Sequence, residues 1–330
     1  MLVDSLSELD ALYYKKIQSA YAESTVKNFK YQTIEYFNFC LAHAYQIYPP
    51  VSMNIARYLT ACTQRVSAFG TIMNKLSAIK KMYHLSGYEV DASHPIIDLL
   101  VKACKRDMSA ESKPKAPLEP SHLILINSLM DPSNLDHRIF QAALMIQYFS
   151  CVRKSNLLPP SIKGFSQHRH LTRADITVLP DGLHIALPWT KTIQNSDKIM
   201  TICIAKVNNS VIDPVSTYEH FISDFPMPAR MPAFSVNCGS KILVLTQQNY
   251  IQTLKLFLSK LGLPVEAYSS HSIRRGGTTV LYESGASQKQ IKAHGGWKSA
   301  CYERYIEPTY SDKLNPTIKM LKYINKKFSK

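Results

Sequence analysis

Apolar residues recur at helical spacing through the first third of the chain. From Ser24, read as an N-cap, the residues Val26, Phe29, Ile34, Phe37 and Leu41 share one side of a 3.6-residue repeat. Pro49-Pro50 interrupts that pattern, and further helices are expected near 52–67, 71–86 and 95–107. Four or five helices with no strand signal make a small bundle over residues 1–108. Residues 109–120 contain three prolines and no apolar repeat, so they read as a linker. Helical patterning resumes in the remainder, 121–330, where Leu135, Ile139, Ala142, Ala143, Ile146 and Phe149 line one face. The period then changes to two. Alternating runs flank the pair Asp181-Gly182, a hairpin signal, and a third strand over 199–204 completes an antiparallel meander. After residue 213 the signals are helical again, near 213–223, 247–261, 271–285, 287–294 and 299–307, with a basic last helix over 312–328. The expected fold is mainly α with a small three-stranded antiparallel sheet.

Composition narrows the function classes. The chain has 330 residues, 45% of them hydrophobic, which suits packed cores in two domains. No apolar run reaches the length needed to cross a bilayer, and the first ten residues lack a signal-peptide layout, so no membrane association is expected. Seven scattered cysteines without C-x-x-C or zinc-type spacing read as free thiols in a reducing, intracellular setting, with no metal. The net charge is +15 and unevenly placed: 12 basic against 10 acidic residues over 1–112, but 27 against 14 over 113–330. Such a surplus suits a phosphate backbone, although a merely soluble basic surface would carry it too.

Candidate chemistry concentrates in 271–305. His271 and Arg274 are three apart, hence neighbours on a helix whose adjoining apolar face is Ile273, Gly277, Val280 and Leu281. Gly276-Gly277 inside a helix is costly unless another backbone or a ligand approaches closely. Gly285 can end that helix, Ser287 with Gln290 can open the next as a capping box, and Gly295-Gly296 can close it ahead of Trp297.

In this arrangement the sequence resembles the tyrosine recombinases, or phage-integrase family. Ser150-Cys-Val-Arg-Lys-Ser-Asn-Leu-Leu is similar to the family's first arginine motif, with Arg153 in the arginine position. Trp189-Thr-Lys-Thr resembles the hairpin-lysine segment, with Lys191 as the lysine. His271-Ser-Ile-Arg274 matches H-x-x-R, Gly295-Gly-Trp297 the His/Trp position, and Tyr305 the nucleophile. The tail is most similar to eukaryotic mobile-element recombinases of the Crypton or DIRS/Ngaro type. Two departures stand out: Asn156 occupies a position where many members carry an acid, and the Trp-to-Tyr interval makes Tyr302 a rival nucleophile.

The resemblance implies a core-binding helical domain and a catalytic domain acting on double-stranded DNA, without metal, cofactor or small-molecule substrate. Arg153 and Arg274 would clamp the non-bridging phosphate oxygens, and His271 would donate to one of them or take the tyrosine proton. Trp297 would offer its indole N–H, Lys191 would protonate the departing 5′-hydroxyl, and Tyr305 would form a covalent 3′-phosphotyrosine. It also implies a homo-tetramer on two DNA sites, integration or excision of a mobile element, and work on DNA inside the cell, in the nucleus for a eukaryotic host. A type IB topoisomerase-like nicking-closing enzyme and a catalytically inert DNA-binding descendant are the alternatives.

Each residue also has a plain reading. Arg153 could cap a helix C-terminus, Lys191 could be a surface lysine, His271 a core histidine, Trp297 a core aromatic and Tyr305 simply one of 19 tyrosines. Arg275 reads as a phosphate contact or a solvated charge, while His294 and Arg304 receive no chemistry. In the bundle, Lys15, Lys16, Lys27, Lys30, Lys75, Lys80 and Lys81 are either a DNA-facing clamp or a solvated face. The last helix, with Ile318, Leu321, Ile324 and Phe328 beside several lysines, could pack on its own domain or dock on a neighbouring protomer.

Overall fold

The computed structural model describes residues 6–66, 68–91, 93–108, 115–189, 200–207, 209–297 and 302–303, together with 317, 318 and 320. The chain separates into two compact units, 1–114 and 115–330.

The described residues of the first unit form five helices: α1 (Leu6–Gln18), α2 (Glu23–Ala42), α3 (Ser52–Thr63), α4 (Phe69–Leu85) and α5 (Pro95–Asp107). Its core gathers Tyr36, Cys40, Ile55, Leu59, Ile72, Ile79, Tyr83 and Ile97. Helix α2 faces inward differently from expectation. Tyr36 and Cys40 are buried, whereas Ile34 and Leu41 are 59% and 69% exposed, so the apolar stripe is rotated toward the aromatic residues. Ser24 falls inside the first turn, and the N-cap is Ala22, which makes no side-chain cap bond. Lys75 also leaves the DNA-facing set. It is buried, its Nζ donating to Glu35 Oε2 at 2.5 Å and to Gln32 Oε1 at 3.0 Å, because a buried ammonium is tolerable only when paired.

The second unit begins with chain that packs rather than links. Ala116 N–H donates to the Ala267 carbonyl and Leu118 N–H to the Ser272 carbonyl, each at 2.8 Å, and Leu118 is fully buried. Residues 115–119 of the expected linker therefore pack on this unit, with Leu118 in its core. Helices α6 (Pro120–Ser128), α7 (Leu135–Ser150) and the short α8 (Lys154–Leu157) follow. Asn134 caps α7 by accepting from the Asp136 and His137 amides at 3.0 and 3.2 Å, and α7 is buried on nearly every side.

Strands β1 (Ile176–Leu179), β2 (Gly182–Leu187) and β3 (Met200–Ala205) form the antiparallel meander in that order. Leu179 pairs with Gly182, so the turn is Pro180-Asp181 and Gly182 opens the strand. A Cβ at Gly182 would strike the Ile204 carbonyl oxygen, so the approach of β3, not the turn, demands glycine there.

After α9 (Pro214–Asp224) comes a hairpin that the sequence reading omits: β4 (Ser235–Cys238) and β5 (Lys241–Val244), joined by Gly239-Ser240. The buried Arg173 guanidinium holds it, donating to the Ser235 carbonyl at 2.7 Å while lying 4.4 Å over the Phe221 ring. Helices α10 (Gln247–Lys260), α11 (Ser270–Glu283) and α12 (Gln288–Gly295) complete the described order. Of the expected helix over 299–307, only Tyr302 and Glu303 are described. Of that over 312–328, only Thr317, Ile318 and Met320 are described, and these are helical. No helix among the described residues is long and apolar enough to cross a membrane.

The Gly276-Gly277 pair has a backbone explanation. A Cβ on Gly276 would collide with the Leu118 carbonyl oxygen, and one on Gly277 with the Tyr148 carbonyl oxygen. Helix α11 therefore lies directly on the end of α7 and on the 115–118 segment. Gly277→Ala should lower stability by about 1–3 kcal/mol, since neither backbone can yield cheaply. In a unit of this size that is about 2–4 °C in midpoint per kcal/mol. Gly70→Ala, in α4 with nothing within 4 Å of the new Cβ, should be neutral or slightly stabilising in the same thermal melts. Equal effects of the two substitutions would contradict this packing.

Candidate active site

The site is built where α7 stops. Cys151 takes a left-handed conformation, φ 52°, and turns the chain out of the helix into Val152 and Arg153. The carbonyls around a helix C-terminus lack intrahelical partners, and here side chains hold one in the last turn of α7 and two just beyond it. Arg274 donates one terminal nitrogen to the Cys151 carbonyl and the other to the Gly295 carbonyl, the latter at 3.2 Å. His294 Nε2 lies 2.6 Å from the Phe149 carbonyl oxygen. Gln147 Nε2 donates to the Val152 carbonyl at 3.2 Å, and its own Oε1 accepts from the Tyr250 hydroxyl at 2.7 Å.

Arg153 is thus not a C-cap of α7. It is the extended residue at the N-cap position of α8, φ −77° and ψ 145°. Helix α11 is started by a capping box, in which Ser269 accepts from the His271 amide at 3.2 Å and Ser272 Oγ accepts from the Ser269 amide at 2.9 Å. That start puts His271 in the first turn and Arg274 one turn further along. Arg153, His271 and Arg274 line one cavity of about 90 Å³, together with Lys154, Ser155 and Ser270.

Electrostatics inside the cavity is cationic. Arg274 is 2% exposed, and its guanidinium carbon lies 4.0 Å from the centroid of the Trp297 ring, a cation–π contact. His271 remains open to solvent on one side. Burial of the rest of its ring, and then the Arg153, Arg274 and Lys154 cations, push its pKa below the ordinary imidazole value. Burial also lowers the ammonium pKa of Lys154. Burial pushes the Cys151 thiol up to about 11, which keeps it protonated and removes it as a competing nucleophile.

Trp297 and Tyr302 pack with Cys151 and Ile291 in a small buried cluster, the two rings 6.0 Å apart. Tyr302 is 1% exposed, and burial followed by the neighbouring Glu303 raises its phenol pKa. Both features oppose a nucleophilic role for Tyr302. Lys191 and Tyr305 lie outside the described residues. Arg275 is buried, donates to the Lys115 carbonyl at 3.0 Å and is therefore not a solvated charge. Asn156 is also buried, its side-chain amide donating to the Trp189 carbonyl at 3.1 Å. Sequence reasoning missed Lys154, Ser155 and Ser270 as lining residues, though all three adjoin the motif residues. It missed Gln147 and His294 because each reaches the site through a carbonyl of the turn. Among the described residues no cluster of metal-ligating side chains occurs.

No family model matches the chain, and no curated protein matches it. Solved structures do. The Tn1549 transposon integrase in complex with transposon right-end DNA superposes with TM-score 0.63 at 13% identity, over 94% of this chain and 98% of that one. The XerH site-specific recombinase bound to its difH substrate, in a pre-cleavage complex, gives 0.56 at 14%, over 88% and 78%. A lambda integrase dimer bound to a COC′ core site gives 0.56 at 13%, over 91% and 94%. The fold is therefore that of the tyrosine recombinases and integrases.

The His271 shift fixes a pH dependence. Its folded pKa lies below the unfolded value of about 6.5, so the unfolded chain binds more protons between the two. The associated stability is present at neutral pH and is lost as the pH falls from about 6.5 through the folded pKa. An NMR titration of labelled His271 should give a midpoint below 6.5, and Arg153→Ala should move it upward. A midpoint at or above 6.5 in the unmodified protein would contradict the cationic cavity.

Proposed function

We propose that the protein is a tyrosine recombinase that cuts and rejoins double-stranded DNA through a covalent 3′-phosphotyrosine. The observation that carries this reading is the shared cavity of Arg153, His271 and Arg274 on a recombinase fold. Two guanidiniums and an imidazole around one small space suit a phosphate whose non-bridging oxygens gain charge as it is attacked. The basic surplus of the chain fits a DNA partner, as do the DNA complexes among its structural neighbours.

In this mechanism Tyr305 Oη attacks phosphorus, forming the O–P bond as the bond to the 5′-oxygen breaks. His271, held neutral at pH 7 by its surroundings, accepts the phenol proton. Lys191 supplies a proton to the departing 5′-oxygen. Attack by another strand's 5′-hydroxyl reverses these steps and restores the tyrosine, so neither ATP nor a metal enters the balance. Trp297 supports Arg274 through its ring face. A homo-tetramer on two DNA sites and movement of a Crypton- or DIRS/Ngaro-type element in the nucleus complete the proposal, with the 312–328 segment docking on a neighbouring protomer.

A binding site can be recovered by selecting a random duplex library on the protein, then nicked beside each phosphate in turn. The unmodified protein should form a denaturant-stable DNA adduct on one of these duplexes. Tyr305→Phe should reduce it at least about 1,000-fold, while Tyr302→Phe leaves it within about tenfold. Trypsin cuts after Arg304 and so separates the Tyr302 peptide from the one beginning at Tyr305. An adduct that survives Tyr305→Phe and maps to the Tyr302 peptide would move the nucleophile, and no adduct at all would contradict the enzyme.

A further inference from the structure

Asn156 is a departure from the acidic residue that many recombinases carry three positions after the first arginine, and its surroundings give it a definite task. It sits on α8, the turn of helix that Arg153 caps, with its own amide donating to the Arg153 carbonyl at 2.9 Å. The side chain is 4% exposed and donates its amide N–H to the main-chain carbonyl of Trp189 at 3.1 Å. Trp189 lies two residues past the end of β2 and two residues before Lys191. One hydrogen bond therefore ties the arginine-bearing turn to the point where the chain leaves the sheet.

The chemistry of that bond demands a donor. A carbonyl oxygen can only accept, and an ionised carboxylate at 156 can only accept as well. Two acceptors facing each other in a buried place repel and leave both unsatisfied. An amide is isosteric with the acid and reverses the polarity, so asparagine suits this carbonyl where aspartate does not.

We infer that Asn156 is a positioning residue for the lysine-bearing segment, setting where the chain that carries Lys191 begins relative to Arg153. This rests on the recombinase reading above, in which Lys191 protonates the leaving 5′-oxygen. It makes a prediction opposite to the family pattern: installing the acid impairs the protein, and the impairment lies in leaving-group protonation.

The test compares two nicked duplexes of the selected site, one ordinary and one with sulfur replacing the bridging 5′-oxygen at the cleaved phosphate. Cleavage of the second breaks a P–S bond, and the thiolate departs with the electron pair without needing an acid. Asn156→Asp should form adduct at least about tenfold more slowly than the unmodified protein on the ordinary duplex, and within about twofold of it on the sulfur duplex. Asn156→Ala removes the bond without burying a charge and should show the same split, so it decides the matter where Asn156→Asp melts before the assay temperature. Unchanged rates on the ordinary duplex, or equal loss on both duplexes by a variant whose melt and DNA binding match the unmodified protein, would overturn the inference. Failure of the unmodified protein on both duplexes would instead overturn the recombinase reading, and this inference with it.

Discussion

A guanidinium taken out of water must find acceptors or the structure around it does not hold. Arg274 finds them in the carbonyls of Cys151 and Gly295 and in the face of Trp297. These three groups come from three places: the turn after α7, the end of α12 and the second residue beyond it. The arginine therefore sets the position of α11 against both, and the glycines at 276 and 277 are the condition for its close approach. The same turn then presents Arg153 to the cavity. Its carbonyls at 149, 151 and 152 are all held by side chains, so the turn is fixed independently of any bound phosphate. Under the proposed function this is electrostatic preorganisation, with the cations placed before negative charge would develop.

Much of the fold was legible because periodicity is a local property. The helices over 95–107 and 247–260, the three strands of the meander and the capping box at Ser287 with Gln290 follow from local spacing, although the first hairpin turns one residue before Asp181-Gly182. The misreadings share a cause, which is that spacing does not reveal what lies opposite. The apolar Ile34 and Leu41 suggested a stripe, but the aromatic packing of Tyr36 with Tyr58 and Tyr83 rotated α2 away from it. Pro117 and its neighbours looked like linker because prolines favour extended backbone, and extended backbone is also what lets 115–118 lie along α11. The hairpin at 235–244 carried a signal, Gly239-Ser240, but its strands are four residues each, too short for a period to emerge.

For the site, motif order was enough to nominate Arg153, His271 and Arg274, which share one cavity. The sequence could not separate charges that face it from charges that do not. Arg275 adjoins Arg274 yet points to the Lys115 carbonyl, and Lys75 looks like any surface lysine until Glu35 and Gln32 are seen around it. The burial of Tyr302 is likewise invisible in the spacing of the C-terminal motif. The partner of Asn156, 33 residues away, belongs to the same class of long-range information.

The central claim is that a single phosphate is gripped by groups from the α7–α8 turn and from α11. A crystal structure of the covalent adduct trapped on a nicked duplex tests it most directly. The account predicts phosphorus bonded to Tyr305 Oη, with its non-bridging oxygens within hydrogen-bond distance of both the Arg153 and Arg274 guanidiniums. A phosphate bound away from that cavity, or contacted by neither arginine, would contradict it.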